Sequence, residues 1–225
     1  MLRKEHKINV IKKDDMLFPN KFKELKDCPQ KIYAMGNVEI LNSFMVAIIG
    51  ARECSFESMK IAREIGEKLA RAGIIIVSGF ARGIDGIAHS ECVKNNAQTV
   101  AVLGTGFDKI YPKQNRYLID EIIENNGLII SEHGAKEQVQ PYFFSLRNRL
   151  IAALADVVIV IEAKEKSGSL VTVKYAQKLK KSILVVPGKT EDYRYKRKQW
   201  IDKKWREKYY VIWRTIWLFR KSKKY

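Results

Sequence analysis

Six short apolar runs, each closed by small or polar turn residues and each separated from the next by a helix-length segment, constrain this chain most. They occupy positions 45–49, 74–77, 99–103, 128–130, 157–161 and 183–186. Continuous apolar runs of this length, bounded by turn signals, read as strands buried on both faces. Strands alternating with helices predict an α/β chain with a doubly wound, mostly parallel sheet and helices on both faces. The helical segments carry their own signals. Ile61, Ile65 and Leu69 recur on one face, Ser55 stands where a cap is needed, and Gly73 follows the end. Asn115 is placed to cap a helix bearing Leu118, Ile119, Ile122 and Ile123. Asp85 is placed as the N-cap or first-turn carboxylate of the helix after the second strand.

Ligands of such sheets bind beyond the carboxyl ends of the strands. Four clusters fall there: Gly50 with Arg52, Gly79 to Arg82, Gly104 to Gly106, and Lys166 to Ser169. The helix start at Arg147 and Arg149 joins them. Glycine turns leading into helices point backbone N–H groups at an anion, although any sheet of this kind also needs glycines at its turns. Arg52, Arg82, Arg147 and Arg149 sharpen the reading, because a guanidinium binds phosphate oxygens in pairs. Such a cluster suits an extended polyanion more than a single cofactor. At least one of these arginines, Arg149 or Arg82, is expected to be spent on a salt bridge with Asp85, Glu132 or Glu162. The loop at 133–146 ends in Pro141-Tyr142-Phe143-Phe144, which either packs beneath the loop or stacks on bases.

Charge supports a polyanionic partner with a qualification. The net charge is +17, but residues 189–225 hold 14 Lys/Arg against 4 Asp/Glu, so the tail supplies +10 and the remainder +7. The three cysteines are scattered and suit a reducing, cytoplasmic setting, and the three histidines show no metal spacing. No run approaches the length of a membrane span, and the first residues lack an apolar export core. The turn after the first strand, Gly-Ala-Arg-Glu-Cys-Ser, lacks the second and third glycines of a dinucleotide fingerprint, and no P-loop or nucleophile elbow occurs. These absences argue against a hydride-transfer enzyme and against an NTPase, and no metal or cofactor is expected.

Read together, the ordered motifs resemble the DprA/Smf family of bacterial DNA-processing proteins. They are Val46 to Arg52, Ser78 to Asp85 with Ala88-His89, Thr99 to Gly106, Tyr111-Pro112 with Asn115, Ser131-Glu132, Arg147 to Ile151, and Glu162-Ala163 with Ser167 to Leu170. Phe18-Pro19 and Tyr33 with Gly36-Asn37 resemble the family's lead-in, so the match covers about residues 16–188. The resemblance implies an extended Rossmann-like fold that binds single-stranded DNA in a basic pocket, forms a homodimer, and loads the recombinase RecA during natural transformation and recombination. By position it implies that Arg52, Gly79, Phe80, Arg82, Arg147, Asn148, Arg149, Lys166, Ser167, Gly168 and Ser169 line or shape the pocket, with Phe144 added from the aromatic loop. It implies no catalytic reaction. The alternative is a Rossmann-like sensor or cleaving enzyme for a small nucleotide, with Glu162 near Ser167-Gly168-Ser169 as the faint echo of its catalytic site.

Three segments follow: a lead-in at 1–43, the DNA-binding domain at 44–188, and a basic Trp/Tyr-rich tail at 189–225. The lead-in is expected to pack on the domain, with 32–35 as a short edge strand. Neither a complete copy of the helical domain that often precedes the family's core nor the winged helix that often follows it is expected within these residues. The family usually continues with a Gly/Asn-rich segment where this chain has Trp200, Trp205, Trp213 and Trp217. A one-base shift of plausible codons for 194–209 yields a segment of that family type, so a frameshift is one expectation for the tail. A basic-aromatic arm for nucleic acid and a membrane-surface segment are the others.

Overall fold

The computed structural model describes residues 6–164 and 167–186. All six expected strands are present and parallel: β3 (Met45–Gly50), β4 (Ile75–Ser78), β5 (Thr99–Leu103), β6 (Leu128–Ser131), β7 (Val157–Ile161) and β8 (Ser182–Val185). Two strands from the lead-in, β1 (Ile8–Lys12) and β2 (Lys31–Gly36), extend the sheet antiparallel. The order is β1-β2-β6-β5-β4-β3-β7-β8. The strand expected at 32–35 therefore exists but is not an edge. β1 covers it, and β2 pairs on its other side with β6.

Every residue of β4, β5 and β6 is buried, as a strand covered on both sides requires. Alternate residues serve opposite layers. Val46, Ile48 and Ile76 face α1 (Phe56–Arg71) and α2 (Ile84–Lys94), while Ala101, Leu103 and Ile129 meet α3 (Leu118–Glu124) on the same side. Met45, Ala47, Ile49, Val77 and Val100 face α5 (Asn148–Leu154), α6 (Gly168–Lys178) and the lead-in residues Phe18 and Phe22. Ser55 caps α1 as expected, accepting the Ser58 N–H. A short helix α4 (Phe143–Leu146) stands where a loop was expected.

The chain reverses direction across the sheet between β3 and β7. Strands from β4 to β6 build outward on one side, and β7 and β8 on the other. This is the topological switch point, where the turns after the two central strands diverge to opposite faces.

At the amino ends of the same two strands, Lys21 ties the lead-in down. Its ammonium donates to the Ser43 and Leu154 carbonyls and pairs with Asp156 at 2.6 Å, and Asp156 also accepts the Met45 N–H. No helix among the described residues is long and apolar enough to cross a membrane. The expectations for the tail, including the frameshift, and the position of Lys166 lie outside the described residues.

Candidate functional site

A cleft of about 560 Å³ opens at the switch point, at the carboxyl ends of the central strands. The turn after β3 gives it Arg52, the turn after β4 gives Arg82 and Asp85, and the segment after β7 gives Lys164, Ser167, Gly168 and Ser169. Phe144, Arg147 and Asn148 come from α4 and the start of α5. A smaller recess continues it toward β5, shared by Arg52, Arg82, Phe144 and Arg147 and extended by Gly79, Gly104 and Tyr111. From β5 to β7 the site spans three inter-strand steps, roughly 14 Å at about 4.8 Å each.

The turn after β4 explains much of this shape. A Cβ on Gly79 would stand 2.6 Å from the Asp85 carboxylate and 2.8 Å from the Arg147 guanidinium, so glycine here serves close approach. The left-handed residue is Phe80 (φ 58°), which turns its ring into the core, where it is fully buried. Gly83 (φ 73°) then precedes α2, and a Cβ there would meet the Ala51 carbonyl at 2.3 Å. Asn115 is no helix cap. Its side-chain amide donates to the Phe80 and Ala81 carbonyls at 3.0 and 2.8 Å and staples this turn to the loop after β5. Asp85 lies in the first turn of α2 but turns back to accept the backbone N–H groups of Gly79 and Ala81.

A buried polar chain forms the floor. Arg147 is 5% exposed and donates to the Gly79 and Val102 carbonyls through Nη1. Its Nε donates to Asn148 Oδ1 at 3.1 Å, and Asn148 Nδ2 donates to the Gly168 carbonyl at 2.9 Å. The floor thus joins the turn after β4 to the first residue of α6. Burial lowers the Arg147 pKa to about 10, with Asp85 opposing the shift. Burial pushes the Asp85 carboxyl up, against the pull of Arg147. His89, beneath them, is pushed down to about 3 by burial and then by the Arg147 charge, so it stays neutral.

The four arginines divide in two. Arg52 and Arg82 are exposed, line the cleft, and form no ion pair among the described residues. Arg149 corrects its expected contact role. It is 2% exposed, absent from the cleft lining, and held by both Glu132 oxygens at 2.8 Å and by Asp27 at 2.8 Å. Of the salt bridges expected from the sequence, the one between Arg149 and Glu132 is present. Phe80 is corrected likewise: it shapes the turn from inside and offers no surface.

The aromatic loop splits too. Phe143 is buried and stacked on His133 with centroids 3.7 Å apart, whereas Phe144 lines the cleft. Asn148, Ser167, Gly168 and Ser169 line it as well. Tyr111, which sequence reasoning did not place at the site, lines the recess. Its signal was its position just after the third strand's glycine turn. Glu162, the acid of the alternative reading, accepts the Ser55 N–H and hydroxyl at 2.8 and 2.9 Å and is absent from the cleft lining. Among the described residues no cluster of His, Cys, Asp or Glu is placed to hold a metal ion.

A doubly wound sheet with free cations and helix starts around a switch-point cleft defines a Rossmann-like protein with a cationic cleft at its switch point. The family described as DNA recombination-mediator protein A matches residues 9–205, and the chain belongs to that family, DprA/Smf. The match begins before residue 16 and runs past residue 188, the limits of the motif resemblance. DNA processing protein DprA of Streptococcus pneumoniae is 39% identical over 178 residues, covering 79% of this chain and 62% of that protein. Protein Smf of Escherichia coli is 34% identical over 180 residues, covering 80% and 48%. The chain thus spans roughly half to two thirds of these curated relatives. The X-ray structure of the pneumococcal protein superposes with a TM-score of 0.81 at 35% identity, covering 88% of this chain and 69% of that one. A Helicobacter pylori DNA processing protein A, solved to describe its single-stranded DNA binding mode, gives 0.75 at 35% identity and covers 84% of each chain.

Proposed function

We propose that this chain binds single-stranded DNA across the cleft at the carboxyl ends of β5, β4, β3 and β7, as a DNA-processing protein of transformation and recombination. The observation that carries this is the state of Arg52 and Arg82. Both are exposed on the rim of one cleft and unpaired among the described residues, above a floor whose own charges are internally matched. A buried cation fixed beneath free ones keeps the rim open to an anion that arrives from outside. The first turn of α6, with Gly168 and Ser169, adds backbone donors at the far end. The span suits several linked phosphates more than one nucleotide, since a stacked strand rises about 3.4 Å per nucleotide. Family membership supports the rest of the reading: the protein works as a homodimer, passes its strand to RecA, and carries out no catalytic reaction of its own.

Titration with dT oligomers at two salt concentrations tests it. Affinity is expected to fall steeply with salt, because phosphate contacts release counterions. Arg52→Ala is expected to weaken binding by about 1–3 kcal/mol, the scale of a lost charged hydrogen bond. Equal affinity of this variant and the wild type at moderate salt would remove Arg52 from the interface.

A further inference from the structure

We propose that Tyr111 is a nucleobase-stacking residue at the β5 end of the cleft, so that the site there recognises a base-bearing strand and not a bare polyanion. The inference rests on the single-stranded DNA reading above. Eight large apolar or aromatic side chains are exposed among the described residues, and Tyr111, at 51%, is the one that lines either the cleft or its recess. Its ring centroid lies 5.7 Å from that of Phe144 at an interplanar angle of 66°. An edge-on contact of this kind covers at most one face of either ring. The recess itself, about 10 Å³, is too small to take a base, so a base at this end lies against the ring.

The platform is braced from both sides in sequence. Ile110 is buried in the core, and Asn115 holds the same loop to the turn that carries Arg82. An aromatic surface fixed before binding loses little conformational freedom when a base stacks on it. Arg82, lining the same recess, is placed to hold a phosphate of the stacked nucleotide. Stacking tolerates any base, because each has a π-face.

The experiment compares a dT oligomer with an abasic oligomer of equal length and backbone charge. Tyr111→Ala is expected to lose roughly 5- to 150-fold in affinity for dT, the range for one stacked base, and to keep its affinity for the abasic strand. Tyr111→Phe is expected to bind dT like the wild type. A thermal melt confirms that both variants fold. In a 2-aminopurine-substituted strand, wild-type protein is expected to quench one position that Tyr111→Ala leaves bright. Equal losses on both oligomers, or none on either, overturn the proposal while leaving the DNA-binding reading in place. Wild-type protein that binds neither oligomer at low salt overturns both.

Discussion

Replacing Arg147 by leucine is expected to cost about 3–5 kcal/mol of folding stability, read from urea unfolding at neutral pH. The guanidinium is buried and donates to the Gly79 and Val102 carbonyls, and Asp85 is its charge partner. Removing it leaves the Gly79 and Val102 carbonyls without their donor and Asp85 without the nearby positive charge that opposes its burial, so buried polar groups lose their compensation. The loss has a pH signature. Asp85 already has a folded pKa raised above its usual 3.8 by burial, and without Arg147 it rises further. A raised carboxyl pKa means that the folded state keeps a proton the unfolded chain has released. Stability therefore falls as pH rises from the unfolded value through the folded one. The variant's deficit is expected to be largest at neutral pH and to shrink toward pH 4. Adding Asp85→Asn is expected to recover part of it at neutral pH, since an amide still accepts the Gly79 and Ala81 N–H groups. A deficit that ignores pH and is untouched by Asp85→Asn would show that the Arg147 charge does not serve Asp85.

Arg149→Leu is expected to cost about 3 kcal/mol, the low end of the range for a severed buried pair, because Asp27 is 46% exposed and keeps its water. Glu132, at 22%, bears most of the loss. The contrast with Arg52 is the useful part. Arg149→Leu protein that remains folded is expected to bind dT oligomers like the wild type, whereas Arg52→Ala is expected to melt like the wild type and bind poorly. Paired measurements of melting temperature and oligonucleotide affinity check both. A folded Arg149→Leu protein with weak binding would place Arg149 back in the interface.

Arg147 and Arg149 also show where sequence reading stops. Two residues apart at a helix start, they point to nearly opposite sides. One reaches the floor of the cleft, and the other reaches the lead-in at Asp27. The sequence offers Arg149 as a salt-bridge candidate with Glu132 among its partners, but it gives Arg147 no buried role, because the carbonyls it reaches lie 68 and 45 positions away. The six parallel strands were legible because burial on both faces demands unbroken apolar runs. β1 was not, since only Ile11 of its five residues is buried and its alternation is weak. The helix at Phe143–Leu146 was hidden by its four-residue length. Phe80 is expected from the resemblance to line or shape the pocket, and residue type alone does not say which. Its positive φ turns the ring into the core, so it shapes the turn. Tyr111 stands in a motif of the sequence with no role legible there, because the loop that presents it is held by Asn115, a contact across 35 positions.

The Lys21 clasp gives the molecule a division of labour between its two rims. One ammonium group gathers the lead-in, the end of α5 and the starts of β3 and β7 on the side away from the cleft. The switch-point strands are thereby anchored from behind. The opposite rim is left free to hold bare backbone and unspent charge, so its ligand preference is able to drift without loosening the sheet that carries it.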